Sequence, residues 1–140
     1  VRPVSPVLVD SNVILDIAIA DSPWRGWSAS ALSRSAENRS LIINPIIYAE
    51  VSVGFLEIAD VEALVDEAGL AREDLPWGAA FLAGKAFKRY RRGGGERRSP
   101  LPDFFIGAHA AVRRYTLLTR DARRYRTYFP SVDLICPDSD

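Results

Sequence analysis

Three aspartates stand where strands are predicted to end or a helix to begin. Asp10 directly follows an apolar run, and Asp121 lies two residues after Thr119, just past another apolar run. Asp103 opens the predicted helix that leads into that later run. Parallel sheets bind ligands outside the carboxyl ends of their strands, so we expect these carboxylates to converge on one cleft.

Glu50 lies in the middle of a predicted helix, where a capping role is excluded. Its neighbours three and four positions away are Ile46, Ile47, Val53 and Gly54, so it lies on a largely apolar stripe. An unpaired charge on such a stripe is costly. Two interpretations remain open at this point, a core ion pair with an arginine and a carboxylate that points into a polar site.

Each aspartate also has a plain structural interpretation, because aspartates cap helices by accepting hydrogen bonds from free amides. That interpretation weakens for the set, since Asp10 and Asp121 both follow strand ends. Four ionised carboxylates in one cleft would repel one another and favour protonation. A divalent cation removes this conflict, and a set of oxygen ligands favours Mg²⁺ or Mn²⁺.

An acidic metal site beside arginine-rich segments indicates a nuclease, because such ions activate a water and neutralise charge during phosphodiester cleavage. Other chemistry is not supported by the residues. The sequence has neither a phosphate-binding loop nor a dinucleotide fingerprint, and one histidine with one cysteine cannot form a zinc cage. The stretch Asp10-Ser11-Asn12 resembles the Asp-x-Asp of aspartyl-phosphate phosphatases, but Asn12 replaces the second acid.

Two other polar residues near these segments are predicted to be structural. His109 lies six positions after Asp103, roughly on the opposite face of the helix, which favours a surface or core role. Asp16 lies six residues past Asp10 and is interpreted as part of a polar helix face or a structural ion pair.

Short apolar strands alternate with helices along the chain, which predicts the α/β fold class with a parallel sheet covered on both faces. Strands are predicted at 7–9, 41–43, 117–119 and 133–135. Helices are predicted at 11–20, 21–38, 45–58, 60–68, 76–92, 102–114 and 121–128. A loop rich in glycine and arginine, residues 93–101, separates two of the helices.

The length of 140 residues and an apolar content of 48% fit one domain over residues 1–140. No apolar run reaches the roughly 18 residues of a membrane span, and no signal peptide is visible, so a cytoplasmic protein is expected.

The zero net charge conceals an asymmetry. Residues 1–84 carry 5 basic and 12 acidic side chains, a net of −7, whereas residues 85–140 carry 13 and 6, a net of +7. The basic half suggests a polyanionic partner, although solvated helix faces would explain it equally well.

Four segments around the acids resemble the PIN-domain family, specifically its VapC-type toxin ribonucleases. The segments are VDSNVILD at 9–16, NPIIYAEVSVGF at 44–55, SPLPDFFIGAHA at 99–110 and LLTRDARRYRTYFP at 117–130. The third is the most specific match. Four such motifs in order cover nearly the whole chain, and all four acidic positions fit the pattern.

The resemblance implies a three-layer α/β/α sandwich and a Mg²⁺ or Mn²⁺ site built by Asp10, Glu50, Asp103 and Asp121. It also implies an endoribonuclease that forms a homodimer and is neutralised by a small antitoxin whose C-terminal segment covers the acidic cleft. Supporting positions in the family's motifs correspond to Ser11, Asn12 and Thr119. Arginines predicted to contact RNA phosphates are Arg91, Arg92, Arg97, Arg98, Arg120, Arg123 and Arg124.

A second class of function remains open, a PIN-like module that binds RNA or protein without cleaving it. Loss of one or more acids would favour that class, and all four acids are present. A DNA-structure-specific nuclease would need clamping insertions for which 140 residues leave little room.

Overall fold

The computed structural model describes residues 4–94 and 101–137. Its strands are β1 (Val7–Val9), β2 (Leu41–Ile43), β3 (Leu70–Arg72), β4 (Thr116–Leu118) and β5 (Leu134–Ile135). Its helices are α1 (Ser11–Ala18), α2 (Arg25–Ala36), α3 (Pro45–Ser52), α4 (Ile58–Glu67), α5 (Trp77–Arg92), α6 (Leu101–Arg113) and α7 (Arg123–Tyr128). The predicted arginine positions Arg97 and Arg98, and most of the predicted glycine- and arginine-rich loop, lie outside the described residues.

The strands form one parallel sheet in the order β3-β2-β1-β4-β5. Every residue of β1, β2 and β4 is buried, as expected for inner strands that are covered by helices on both faces. The predicted α/β/α sandwich is therefore confirmed. No helix in the described ranges is long and apolar enough to cross a membrane.

The sheet differs from the sequence prediction at its edge. β3 was not predicted, because only Leu70 of its three residues is buried and the strand shows no apolar run. Gly69 precedes it with a φ of 69°, a left-handed conformation that suits the predicted helix stop. β3 pairs with β2 alone and therefore forms one edge of the sheet.

The predicted helix over 45–58 is too long. α3 ends at Ser52, whose hydroxyl donates a 2.7 Å hydrogen bond to the carbonyl of Tyr48. The apolar residues that extended the pattern are largely solvent-exposed, with Val53 at 87% and Leu56 at 100% exposure. α3 begins as predicted at Pro45, where the side chain of Asn44 accepts a 2.9 Å hydrogen bond from the amide of Ile47.

Three helices meet around a cluster of aromatic rings that supports one side of the site. Tyr90 from α5, Phe104 from α6 and Tyr128 from α7 have ring centroids 5.2 to 6.0 Å apart. Phe129 packs against Phe104 and against Gly107, where an added Cβ would lie 2.4 Å from the ring of Phe129. The cluster fixes the start of α6, which carries Asp103.

Candidate active site

The site lies where the chain changes direction across the sheet. From β1 the chain proceeds to β2 and β3 on one side, and β4 and β5 then add to the other side. Such a switch point leaves a crevice at the carboxyl ends of the two central strands. Asp10 immediately follows β1 and Thr119 immediately follows β4, so both lie at this crevice.

The carboxylate of Asp10 is buried and held by three neighbours. Its Oδ1 accepts a 2.8 Å hydrogen bond from the amide of Ser11, so Asp10 also caps α1. Its Oδ2 accepts hydrogen bonds from the hydroxyls of Thr119 at 2.8 Å and Tyr125 at 3.0 Å. Burial, together with the negative charges of Asp103 and Glu50, raises the pKa of Asp10 to about 6 despite these hydrogen bonds.

Glu50 reaches the same place from α3. Ser11 donates a 2.8 Å hydrogen bond from its hydroxyl to Oε1 of Glu50, and within the described residues Glu50 makes no ion pair. The alternative of a core ion pair with an arginine is therefore wrong for the described structure. Burial raises the pKa of Glu50, and the charge of Asp103 raises it further.

Asp103 is the acid that links the other three electrostatically. Its charge raises the pKa of both Asp10 and Glu50, and the charge of Asp121 contributes to raising its own pKa. The main cause of the raised pKa of Asp103 is burial, which outweighs an ion pair of 2.6 Å with Nη1 of Arg124. Helix capping does not explain why these acids lie together, because a cap concerns only its own helix, whereas these acids come from different elements and shift one another's pKa values.

Asp121 lies at the rim of the crevice and its side chain is exposed. Its amide donates a 3.1 Å hydrogen bond to the hydroxyl of Thr119, which places it beside the group that binds Asp10. Capping does not explain Asp121 either, because α7 begins at Arg123 and its N-cap is Ala122.

The donor chemistry of these four residues fits a hard divalent cation, because every ligand would be a carboxylate oxygen and the clustered charges need neutralising. The side chains are nevertheless not drawn together as ligands. Across residues 4–94 and 101–137, no three Asp, Glu, His or Cys side chains form a group close enough to hold a metal ion. A cation, the guanidinium of Arg124, is instead bound to Asp103.

The predicted supporting residues connect the two central strands. Asn12 donates a 3.3 Å hydrogen bond to the hydroxyl of Thr119 and accepts one of 3.1 Å from the amide of Arg120. With the contacts of Ser11 and Thr119 to Asp10 and Glu50, these bonds fix the loop after β4 against the start of α1. Their part in activity stays a prediction.

Tyr125 is a site residue that the sequence interpretation missed. It is 2% exposed and resembles an ordinary core aromatic, yet its hydroxyl binds Asp10. Its sequence context carries no signal that separates it from a core aromatic, because α7 begins only at Arg123 and no helical spacing relates Tyr125 to Asp121.

Asp16 makes the predicted structural ion pair. Both of its oxygens accept hydrogen bonds from Arg120, at 2.8 and 3.1 Å, and Ser28 donates another of 2.7 Å. Burial alone would raise the pKa of Asp16, but the hydrogen bonds from these residues hold it below its usual value. Arg120 is thus engaged by Asp16, and its predicted contact with RNA stays a prediction.

The other described arginines that were predicted to contact RNA lie in two places, beside Asp121 and at the end of α5. Arg123 and Arg124 line one shallow cavity with Asp121, and Arg123 also lines a second one with Arg120. Arg91 and Arg92 lie exposed at the end of α5. Their contact with RNA stays a prediction.

His109 has the core role that the sequence favoured. Its ring is fully buried in α6, where Nδ1 lies 2.9 Å from the amide nitrogen of Asn44 and Nε2 lies 2.6 Å from Oε2 of Glu73. The oxygen of the Asn44 side chain is used to cap α3, so its NH₂ group faces the ring. His109 is therefore neutral, with its proton on Nε2, and it takes no part in the acidic site.

The fold is that of a PIN domain. Residues 7–130 match the PIN domain family, and the chain belongs to that family. No curated protein sequence matches it significantly.

Solved structures of toxin–antitoxin assemblies contain chains of the same fold. VapBC2 from Rickettsia felis, bound to a DNA fragment from its promoter, has a chain 20% identical in sequence with a TM-score of 0.71, covering 94% of this chain and 98% of that one. A toxin–antitoxin complex from Klebsiella pneumoniae gives 21% identity and a TM-score of 0.69, covering 96% and 99%. VapBC-1 from nontypeable Haemophilus influenzae has a chain 18% identical in sequence with a TM-score of 0.69. The match covers 93% of this chain and 96% of that one.

Proposed function

We propose that this chain is a Mg²⁺- or Mn²⁺-dependent endoribonuclease and the toxin of a toxin–antitoxin pair. The observation that carries the proposal is the group of acids at the switch point, whose burial and mutual repulsion raise the pKa values of Asp10, Glu50 and Asp103. Carboxylates kept together at this cost are suited to a divalent cation. Membership of the PIN domain family and the similarity in fold to chains of toxin–antitoxin complexes support the same function.

In this proposal Asp10, Glu50, Asp103 and Asp121 would hold the cation. A bound Mg²⁺ or Mn²⁺ supplies charge neutralisation at the phosphate and lowers the pKa of a bound water. Thr119 and Tyr125 orient the carboxylate of Asp10 through their hydroxyls, and Ser11 orients that of Glu50. Arg123 and Arg124 lie beside Asp121, where they can bind a phosphate of the RNA backbone.

The proposed partners follow from the same family. A small antitoxin would cover the acidic cleft, and a homodimer would be the active form, as the resemblance implies. VapBC2 and VapBC-1 are toxin–antitoxin relatives in fold at 18 to 20% identity, so they support this assignment by analogy. We further propose that the chain is a single nuclease domain that acts in the cytoplasm.

A binding module without catalysis is the second candidate, and one observation favours it. Asp103 is already paired with Arg124, and no three acidic side chains of the described residues are arranged as metal ligands. A protein that uses its acids only to bind a basic partner would have this arrangement. The two candidates differ in whether the chain cleaves RNA when a divalent cation is supplied.

The decisive experiment compares the parent with Asp103→Asn. Asparagine keeps the size of the side chain, but it removes a charge and weakens metal binding. We expect RNA cleavage to require Mg²⁺ or Mn²⁺, to stop with EDTA and to fall by orders of magnitude in Asp103→Asn. The melting temperature without metal should hold or rise slightly, because repulsion among the remaining acids decreases.

The matched control is Asp133→Asn, which removes an exposed acid just before β5 and should leave cleavage unchanged. Cleavage that survives exhaustive chelation would exclude the metal. A folded Asp103→Asn protein that cuts RNA at the parental rate would exclude the assignment of Asp103. A parent that binds RNA but never cuts it would favour the binding module.

A further inference from the structure

We propose that Arg124 competes with the divalent cation for the carboxylate of Asp103, and that this competition sets the metal affinity of the site. The inference deepens the proposed function and rests on it for the identity of the cation. It concerns a single contact, the 2.6 Å ion pair between Nη1 of Arg124 and Oδ2 of Asp103.

The position of Arg124 makes it an intramolecular cation for the acidic site. Asp103 is the acid that acts electrostatically on Asp10 and Glu50 and is acted on by Asp121. The positive charge of Arg124 beside Asp103 therefore reduces the electrostatic repulsion among the four acids. In the described residues, Asp103 is the one of these four acids that forms an ion pair.

The same oxygen cannot serve both cations at full strength. Oδ2 of Asp103 would have to exchange a charge-assisted hydrogen bond for a metal–oxygen bond, and the guanidinium would then lie beside a like charge. Metal binding through Oδ2 therefore requires the ion pair to break. The cost is moderate because both side chains are about one-third exposed, at 34% for Arg124 and 31% for Asp103.

Arg124 has a place to remain once it leaves Asp103. Its Cζ lies 5.7 Å from the ring centroid of Tyr90, a cation–π distance, and Tyr90 is fixed in the aromatic cluster by Phe104 and Tyr128. The guanidinium would stay at the rim of the crevice with its hydrogen-bond donors free for a phosphate. A polyanion that binds Arg124 frees Asp103, so it should increase the affinity for the metal. By linkage, the metal should increase the affinity for the polyanion by the same factor.

The experiment measures Mn²⁺ binding by calorimetry to the EDTA-stripped, exchanged parent and to Arg124→Ala, without RNA. We expect Mn²⁺ to bind about three- to tenfold more tightly to Arg124→Ala, the change expected when one partly exposed ion pair no longer has to break. Arg124→Lys keeps the charge and should stay closer to the parent. Without metal, Arg124→Ala should melt at a lower temperature, and Mn²⁺ should raise its melting temperature more than that of the parent.

Arg123→Ala is the matched control, because it removes the same charge from the adjacent residue, which is exposed and, among the described residues, forms no ion pair with Asp103. If only the loss of one positive charge mattered, Mn²⁺ affinity should rise similarly in both variants. Competition at Asp103 instead predicts that Mn²⁺ affinity changes less than about twofold in Arg123→Ala. Equal effects in the two variants would overturn the inference, and so would weaker Mn²⁺ binding in a folded Arg124→Ala protein or no Mn²⁺ binding by any of these proteins.

Failure of this inference is distinguishable from failure of the proposed function, because RNA cleavage is measured separately. A parent that cleaves RNA with an unchanged Mn²⁺ affinity in Arg124→Ala would overturn only the competition. A parent that never cleaves RNA, with tighter Mn²⁺ binding in Arg124→Ala, would overturn only the nuclease.

Discussion

The hydroxyl of Tyr125 supplies one of the two hydrogen bonds to Oδ2 of Asp10, and the other comes from Thr119. Replacing Tyr125 by Phe removes that donor and keeps the buried ring. We expect RNA cleavage to fall about 10- to 100-fold, as is typical when a group that orients a metal ligand is lost. The fold should persist, which circular dichroism would verify alongside the cleavage assay.

Tyr128→Phe is the control for that prediction. Tyr128 belongs to the neighbouring aromatic cluster, and it is its backbone carbonyl, not its hydroxyl, that accepts a hydrogen bond from Arg89. Its hydroxyl should be dispensable for cleavage. Equal losses in the two variants would mean that the loss does not depend on the hydrogen bond from Tyr125 to Asp10.

His109 predicts a pH dependence of stability. Burial lowers the pKa of His109 and outweighs the opposing influence of Glu73, while Arg113 also lowers it. A pKa below the unfolded value of 6.5 means that the unfolded chain binds the proton more readily. The stability contributed by neutral His109 is therefore complete above pH 6.5 and is lost as the pH falls through that value, by at most about 1.4 kcal/mol per pH unit.

Two measurements check this prediction. His109 is the one histidine of the chain, so its imidazole can be titrated by NMR without assignment, and we expect a pKa below 6.5 and a proton on Nε2. In urea unfolding, the change in stability from pH 7.5 to 5.5 should be less favourable in the parent than in His109→Gln, because the raised pKa of Asp10 acts in the opposite direction equally in both proteins. An imidazole that titrates above pH 6.5 would contradict the assignment.

At the scale of elements, Gly107 sets how closely α6 approaches the end of α7. A Cβ at this position would lie 2.4 Å from the ring of Phe129, which is itself 4% exposed and has little room to move. Gly107→Ala should therefore lower the free energy of unfolding by about 1–3 kcal/mol, the usual cost of overpacking. Chemical denaturation measures this directly.

The matched control for Gly107→Ala lies on the adjacent helix. Gly84 is within α5, and a Cβ there would meet nothing within 4 Å. Gly84→Ala should therefore stabilise the protein by about 0.5–1 kcal/mol, because alanine favours a helix interior. The two substitutions should change stability in opposite directions, and a destabilising Gly84→Ala would show that α5 is constrained in another way.

The elements also show what could be predicted from sequence and what could not. The central strands were predictable because each is a short, fully buried apolar run. β3 was not, since an edge strand with two exposed residues has no such run. The end of α3 was missed because Val53 and Leu56 continue the apolar pattern although both are exposed.

The same limits apply to the site. The proximity of Asp10, Glu50 and Asp103 could be predicted, because strand ends and one helix face determine where those side chains lie. The pairing of Asp103 with Arg124 could not, since several arginines follow Asp121 in the sequence and only side-chain placement decides which one reaches the acid. Tyr125 was missed because a buried aromatic with a functional hydroxyl has the same pattern as a core residue.

For the whole molecule, the uneven distribution of charge predicts a strong effect of salt on RNA binding. Neutralising Arg91 and Arg92 together should reduce the slope of log affinity against log salt by about 1.4, if each contacts one phosphate of single-stranded RNA. Fluorescence anisotropy at several salt concentrations, with EDTA present to prevent cleavage, gives that slope.

The control is the double substitution of Arg25 and Arg34, two exposed arginines of α2 outside the predicted RNA-contacting set. It removes the same net charge and should leave the slope unchanged. Equal slopes in all three proteins would mean that Arg91 and Arg92 do not contact the RNA.

The pairing of β1 with β4 has a consequence during synthesis of the protein on the ribosome. β1 emerges first, but the hydroxyls that orient Asp10 belong to residues 109 and 115 positions later. A nascent chain that has exposed Asp10, Glu50 and Asp103 still lacks Thr119 and Tyr125. If the proposed function holds, the site of a growing polypeptide stays incomplete until Tyr125 has been added.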